Sequence, residues 1–578
     1  MRAPYLTPLL LGALLAPAGI LGAAPEQDRN ELFESFAKQI IEGYLRANPE
    51  AATQLGDHRF DGQLSDLGAD SRRQQVVLAK RARMVIESIP DQALSRANQV
   101  DKAILLDKIG EYLFDLEEGR SWENNPMVYN PGGALDGLLS RDFAPLPERL
   151  RAVQSRLQAV PAMLATARLN LVNPPRIYTE TAIRQLQGTL GLVRDDVTAA
   201  ATQAGMKDQL APAQAQAAKA LEDFIGWLKA DLLPRSNGDF RVGKERFAKQ
   251  LRYTLNSDLS MAAILQRAEA GLKATQAEMA TVAAPLFATW FPGRKESDPK
   301  VMIKAVLDKL TELRPNNDTI VGLATEDLKT TTEFVRAKGL VSVPAEPLKI
   351  IVMPEYQRGV AVAYCDSPGG LETHGTTFFA ISPTPADWGP DRVQSFFREY
   401  NNAMVQDLTI HEAMPGHYLQ LAHSNAYKAT SPVRVAFTSG LFAEGWAVYM
   451  EQAMARAGYG GPEVHMQQLK MRLRVIINAI LDQKIHTANM TREQALELMV
   501  HEGFQEEGEA VGKWNRACLG STQLSTNFVG ASEMDDIRAA AEAKALAAHQ
   551  PFDPKGFHDQ LLSFGSPAPK YARLLMGL

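Results

Sequence analysis

His411, Glu412 and His417 bring two imidazoles and a carboxylate into one short run, Thr409-Ile410-His411-Glu412-Ala413-Met414-Pro415-Gly416-His417-Tyr418-Leu419-Gln420. Imidazole nitrogens are ligands for zinc, and a carboxylate beside a ligand can take a proton from water. The H-E-x-x-H helix of zinc hydrolases sets its histidines four apart, because roughly 100° per residue returns them to one face. Here the second histidine falls two residues late, which on a regular helix turns the two side chains about 120° apart. Pro415-Gly416 offers the correction. Proline cannot donate to the His411 carbonyl and glycine tolerates unusual backbone angles, so the helix is expected to bulge before His417.

A catalytic zinc needs three protein ligands and an open position. Glu444, in Phe442-Ala443-Glu444-Gly445-Trp446-Ala447-Val448-Tyr449-Met450-Glu451, is the expected third ligand, with Gly445 beside it allowing a close helix approach. Glu412 is the expected base for attack of water on an amide. Asp482 and His486 stand four apart, so they share a helix face, and His486 is a candidate for stabilising a tetrahedral intermediate. Arg474 lies on roughly the same face and is a candidate for holding a substrate carboxylate. For both, a polar network bracing the helices is the alternative. Tyr449 is a candidate oxyanion donor, with a core aromatic as the alternative. His423 reads as a residue outside the ligand set, and His374 as a loop histidine near a strand.

These groups must be positioned by a large chain. The 578 residues are 45% hydrophobic and 22% charged, enough for a sizeable core, and the net charge of −6 lacks the basic excess of a nucleic-acid surface. A peptide or small amide is the expected partner. Arg2, the apolar run Leu9 to Leu21 and Gly22-Ala23-Ala24 read as a signal peptide over 1–24, cleaved near Ala24 and leaving no integral membrane segment. The expected location is secreted or periplasmic. No cysteine follows the apolar run to carry a lipid, and Cys365 and Cys518, the two cysteines, make no disulfide framework.

Apolar spacing predicts helices from Asn30 to about Ala47, Ser71 to Ile89, Asn98 to Glu117 and Pro147 to Asn170, with loops from Glu123 to Asp142. Three short β-type runs follow, at 347–353, 360–365 and 376–381. From Asn402 the chain turns helical again, with breaks near Ser431-Pro432, Gly458 to Pro462 and Gly520 to Gly530. The expected fold is therefore mainly α, with a small sheet beside the zinc helix that could pair with an extended substrate. Residues 25–578 read as one mostly helical domain, in two lobes of about 25–335 and 336–578.

His411-Glu412-x-x-Pro415-Gly416-His417-x-x-Gln420, followed by Glu444-Gly445-Trp446-Ala447-x-Tyr449-x-Glu451, resembles the bacterial proteins of domain-of-unknown-function family 885, related to the gluzincin metallopeptidases. Asn48-Pro49-Glu50-Ala51-Ala52-Thr53-x-x-Gly56-Asp57-His58-Arg59-Phe60-Asp61 is similar to that family's opening. Asp482-Gln483-Lys484-Ile485-His486 with Met490-Thr491-Arg492-Glu493-Gln494-Ala495 is similar to its C-terminal segment. The resemblance implies a helical, cleft-bearing metallopeptidase with His411, His417 and Glu444 as zinc ligands and Glu412 as base. It departs at Asn527, where the family commonly has tyrosine, so Asn527 is a candidate for a different substrate contact. The main expectation is an exported zinc peptidase. A zinc amidase acting on a non-peptide or modified amino-acid amide is a second, and a catalytically weakened peptide-binding protein a third.

Overall fold

The computed structural model describes residues 26–578 apart from 354–357, 359–361, 373–374 and 429. The expected leader, His374 and the start of the second β-type run lie outside the described residues. In the first helix, Glu26–Ala47, Phe33, Ala37, Ile41 and Leu45 are buried at intervals of one turn and meet Ile86, Ile104 and Leu105 from the helices Ala69–Glu87 and Arg96–Phe114. A second core forms where Leu150, Val153 and Leu157 of the helix Leu146–Asn170 face Leu221 and Phe224 of Lys207–Trp227. The stretch expected to be loop from Glu123 to Asp142 contains a helix, Gly132–Ser140, because Leu135 and Leu138 bury into this core. Gly132 and Gly133, read as breakers, are the helix's first two residues.

The long helix Met261–Trp290 runs along Gly461–Ala488, where Met279 and Phe287 meet Met466, Leu469 and Leu473. Gly461–Ala488 is buried nearly all round from Val464 to His486, as expected of a helix at the centre of a large protein.

Three strands, β1 (Leu348–Val352), β2 (Ala363–Asp366) and β3 (Thr377–Ile381), form a sheet in the order β1-β3-β2. β1 is parallel to β3 and β2 antiparallel to it, with Cys365 opposite Phe379. β2 is thus an edge strand, and it packs against the helix that carries His411.

The Asn48–Asp61 stretch holds this sheet in place. Gly56, with φ +88°, and Gly369 pass so close to the opposite segment that a Cβ would meet Glu372 N at 2.5 Å or Gln54 O at 2.3 Å. Leu371 N donates to Leu55 O at 2.8 Å. His58 bonds Asp61 through Nδ1 at 2.8 Å and Glu372 through Nε2 at 2.9 Å, stacked on Phe143. Burial opposes its charge, but the hydrogen bonds and charges of the two carboxylates outweigh it and raise its pKa.

The mainly α architecture with one small sheet is the expected one. A concavity of about 880 Å³ lies between the helices Glu26–Ala47, Ala69–Glu87 and Arg96–Phe114, and none of the His411, His417 or Glu444 side chains lines it.

Candidate metal centre

The late histidine is accommodated by a break in the helix, not by the expected bulge. Helix α1 (Asn402–Glu412) is capped by Asn401, whose side chain accepts from Met404 N, and it stops at Glu412. A new helix, α2 (His417–Ala426), begins at His417. Between them the Met414–Pro415 peptide is cis. Gly416 lies against the end of α1, where a Cβ would meet the His411 carbonyl oxygen at 1.9 Å and that of Ile410 at 2.3 Å. The position therefore requires glycine for contact distance. Trp446 Nε1 donates to Pro415 O at 2.9 Å, pinning the break to helix α3 (Gly440–Arg456).

Ending one helix and starting another lets both imidazoles face one point. Their ring centroids are 4.7 Å apart and the planes nearly perpendicular, at 89°. Glu444 Oε2 on α3 lies 3.7 Å from His411 Nε2 and 3.8 Å from His417 Nε2, and the ligand atoms of the three residues all fall within 4.8 Å of one another. Ligands about 2.0–2.1 Å from a tetrahedral zinc stand roughly 3.3–3.4 Å apart, so the spacing and the two-imidazole, one-carboxylate donor set fit zinc.

Surrounding groups hold the ligands. Glu451, 2% exposed, bonds His411 Nδ1 at 2.5 Å, which leaves Nε2 for the centre. Asn527 Nδ2 donates to Glu444 Oε2 at 2.6 Å. Burial works against charge on His411, but Glu451 and the neighbouring carboxylates raise its pKa to about 10. Burial lowers the pKa of His417. Burial also opposes charge on Glu444, yet the two histidines and the Asn527 bond bring its pKa below the usual value. Glu412 is buried at the end of α1, close enough to Cys365 of β2 to help raise that thiol's pKa, which burial already pushes well up. Asp407, one turn before His411, has an Oδ1 without a hydrogen-bond partner among the described residues, and burial with Glu451 pushes its pKa well up.

Sequence reasoning gave Glu451 and Asp407 no role. The signal was present: Glu451 follows Glu444 by seven and Asp407 precedes His411 by four, and both spacings return to one helix face.

The other candidates lie in different surroundings. Helix α4 (Gly461–Ala488) carries Arg474, Asp482 and His486, and packs against α5 (Glu507–Leu519). Asp482 does not orient His486. Its Oδ1 accepts from Thr522 N at 2.8 Å and its Oδ2 from Ser525 N at 3.1 Å and Ser525 Oγ at 2.7 Å. His486 Nε2 donates to Ala517 O at 3.0 Å and Gly520 O at 3.2 Å, and its ring stacks on Phe247. Both residues brace the turn leading into helix α6 (Thr526–Ala547), the polar-network alternative. Arg474 is buried and ion-paired with Glu509. Tyr449 is fully buried, its hydroxyl engaged by His558 Nε2 at 2.8 Å and Arg538 Nη1 at 3.3 Å, and burial pushes its pKa up to about 12. His423 Nε2 donates to Ser342 O at 2.9 Å. Cys365 and Cys518 are both free thiols.

Gly530, read as part of a break, lies inside α6. A Cβ there would meet Leu441 O at 2.3 Å, and one on Gly445 would meet Gly530 C at 2.4 Å. The close approach expected at Gly445 is made by α6, and it brings Asn527 onto Glu444.

Fold and site together define a mainly helical protein with a partly buried His-His-Glu cluster at a helix break. The chain belongs to the family described as bacterial protein of unknown function (DUF885), whose model matches residues 49–576. Among solved structures it is similar to a protein from Shewanella oneidensis described as a "putative lipoprotein of unknown function", with 32% identity, a TM-score of 0.81, and 94% of this chain and 100% of that one covered. A "putative lipoprotein" from Colwellia psychrerythraea shares the fold at 16% identity, with a TM-score of 0.78 over 95% of this chain and 98% of that one. No curated protein matches.

Proposed function

We propose that this protein is an exported, zinc-dependent peptidase of gluzincin type. The observation that carries the reading is the convergence of His411 Nε2, His417 Nε2 and Glu444 Oε2, at 3.7 and 3.8 Å, with Glu412 next in the chain to His411. Zinc bound there would supply Lewis acidity, making water a nucleophile near neutral pH.

The chain's own residues do the rest. Glu412 takes the proton from the attacking water and delivers it to the leaving amine. Glu451 fixes the ring of His411 and Asn527 the carboxylate of Glu444, so the ligands are oriented before substrate arrives. β2, an edge strand packed on α1, offers backbone groups to an extended peptide in the deep cleft expected beside α1. The related proteins described as lipoproteins support export. Here Gly22-Ala23-Ala24 follows the apolar run as a small-residue cleavage site, in keeping with export.

Binding without turnover is the second reading. It is favoured by Asn527, whose amide is engaged with Glu444 at a position where tyrosine is common. A zinc amidase acting on non-peptide amides would use the same residues. Metal analysis of the purified protein, with peptide libraries and small amides assayed before and after chelation, separates the three. Zinc with chelator-sensitive peptide cleavage is the expected result. Glu412→Gln should keep the zinc and lose turnover, and full activity in that variant would refute the assignment.

A further inference from the structure

The concavity between the helices Glu26–Ala47, Ala69–Glu87 and Arg96–Phe114, at about 880 Å³, has the size of an ordinary ligand site and a mostly apolar lining. Leu78 and Met84 line it while 52% and 68% exposed. Large apolar side chains left open together mark a place where something binds. The charged groups of the lining, Arg81, Lys108, Glu111 and Asp115, are two of each sign, so it favours neither an anion nor a cation.

One wall of the concavity is the chain that enters α3. Phe437 and Thr438 line it, and the next residue, Ser439, caps α3 by accepting from Phe442 N at 3.2 Å. Phe437 starts a row of rings: it meets Tyr44 edge-on with centroids 5.4 Å apart, and Tyr44 meets Tyr112 in the same way at 5.9 Å. From Gly440 to Met454, α3 is buried except at Gly440, Ala443 and Glu444. Ala443 and Glu444 follow Gly440 by three and four residues, so all three lie on one helix face. A Cβ on Gly440 would meet nothing beyond its own helix within 4 Å among the described residues. The open face of α3 therefore runs from Glu444 of the metal centre to the wall of the concavity. Ser439 lies five residues before Glu444, a rise of about 8 Å, which an extended peptide covers in two to three residues at about 3.3 Å each.

We propose that the concavity is an apolar subsite of the metal centre, taking a large uncharged side chain, aromatic or long aliphatic, two or three residues from the scissile bond of a peptide. The inference rests on the peptidase reading for the identity of the ligand. The bound side chain packs against the rings of Tyr44 and Phe437 and covers Leu78 and Met84, removing apolar surface on both partners from water.

The test walks one phenylalanine through a hexapeptide of alternating alanine and serine with free termini. With zinc-loaded wild-type protein, and the cleaved bond identified by mass spectrometry, kcat/KM is expected to peak when the phenylalanine lies two or three residues from that bond, on one side of it. The peak should exceed the parent peptide about tenfold or more, as burial of a phenylalanine side chain implies. Calorimetry with zinc-loaded Glu412→Gln protein, in which no turnover intervenes, should show the same gain in affinity. Gly43 lines the concavity from the helix Glu26–Ala47, and a Cβ there would meet nothing beyond its own helix within 4 Å among the described residues. Gly43→Trp should therefore fill the space and abolish both preferences with zinc content unchanged. Gly43→Ala, which adds a single methyl group, is the folding control and should unfold at equal or higher urea. If Gly43→Trp fails to fold, Met84→Asp, at an exposed position, decides alone. No peak, a peak only for phenylalanine next to the cleaved bond, equal affinity for all peptides, or full preference in Gly43→Trp overturns the proposal. So does a wild-type dimer that Gly43→Trp dissociates in sedimentation, which would make a second copy the occupant, or dodecanoate binding more tightly than every peptide, which would make it a lipid. Preference in binding without turnover by the wild-type protein would refute the peptidase reading and leave the apolar subsite standing. Turnover without preference would do the opposite.

Discussion

Gly530→Ala tests whether the crossing of α3 and α6 sets the metal centre. The added methyl carbon would lie 2.3 Å from Leu441 O and 2.7 Å from Gly445 Cα, both backbone atoms that no rotamer change can move. Restoring an ordinary contact of about 3.5 Å requires the helices to part by roughly 1 Å. Overpacking of this kind costs about 1–3 kcal/mol, against which alanine returns up to about 1 kcal/mol over glycine in a helix interior. A net loss of about 1–2 kcal/mol is expected, read as a lower urea midpoint. α3 carries Glu444 and α6 carries Asn527, so the same displacement should stretch the 2.6 Å bond between them and weaken zinc binding several-fold in a chelator competition. Gly188→Ala is the control. Gly188 is an exposed residue within the helix Arg176–Arg194, a Cβ there meets nothing within 4 Å, and its replacement should stabilise by up to about 1 kcal/mol. A Gly530→Ala protein as stable as wild type and with unchanged zinc affinity would refute the reasoning.

Glu451→Gln should weaken zinc binding by about 10–100-fold, because the carboxylate that holds His411 Nδ1 at 2.5 Å is lost; unchanged affinity in a competition assay would remove Glu451 from the site. His58 makes a pH-dependent contribution. Its folded pKa is raised above the ordinary value of 6.5, so the stability it adds is fully present below about pH 6.5 and is lost as pH rises through the raised value. The difference in urea midpoint between wild type and His58→Gln should therefore shrink on going from about pH 6 to about pH 9, and a difference that grows would show that His58 is neutral in the folded protein.

What could be read from the sequence was whatever depended on local spacing. His411, Glu412 and His417 are near neighbours in sequence, and the structure brings Glu444 to the same two histidines. Pro415-Gly416 marked a departure from regular helix, but spacing alone does not distinguish a bulge from a stop and restart. That distinction rests on Gly416 pressing against the His411 carbonyl. On α3 the helical period itself separates Glu451, seven beyond Glu444, from Tyr449, five beyond it and about 140° away. The tyrosine accordingly meets His558 and Arg538.

Other features depended on partners far away in sequence. His58 and Glu372 are 314 residues apart, and no periodicity joins them. Glycine punctuation fails for a related reason. Gly530 lacks a Cβ to admit Gly445, and composition cannot tell an end of a helix from a close crossing of two. Charge follows the same logic: Glu509 lies one turn from Lys513 on α5 and would read as its partner, yet Arg474 on α4 takes that carboxylate. Whether Lys513 is paired is thus decided by a second helix.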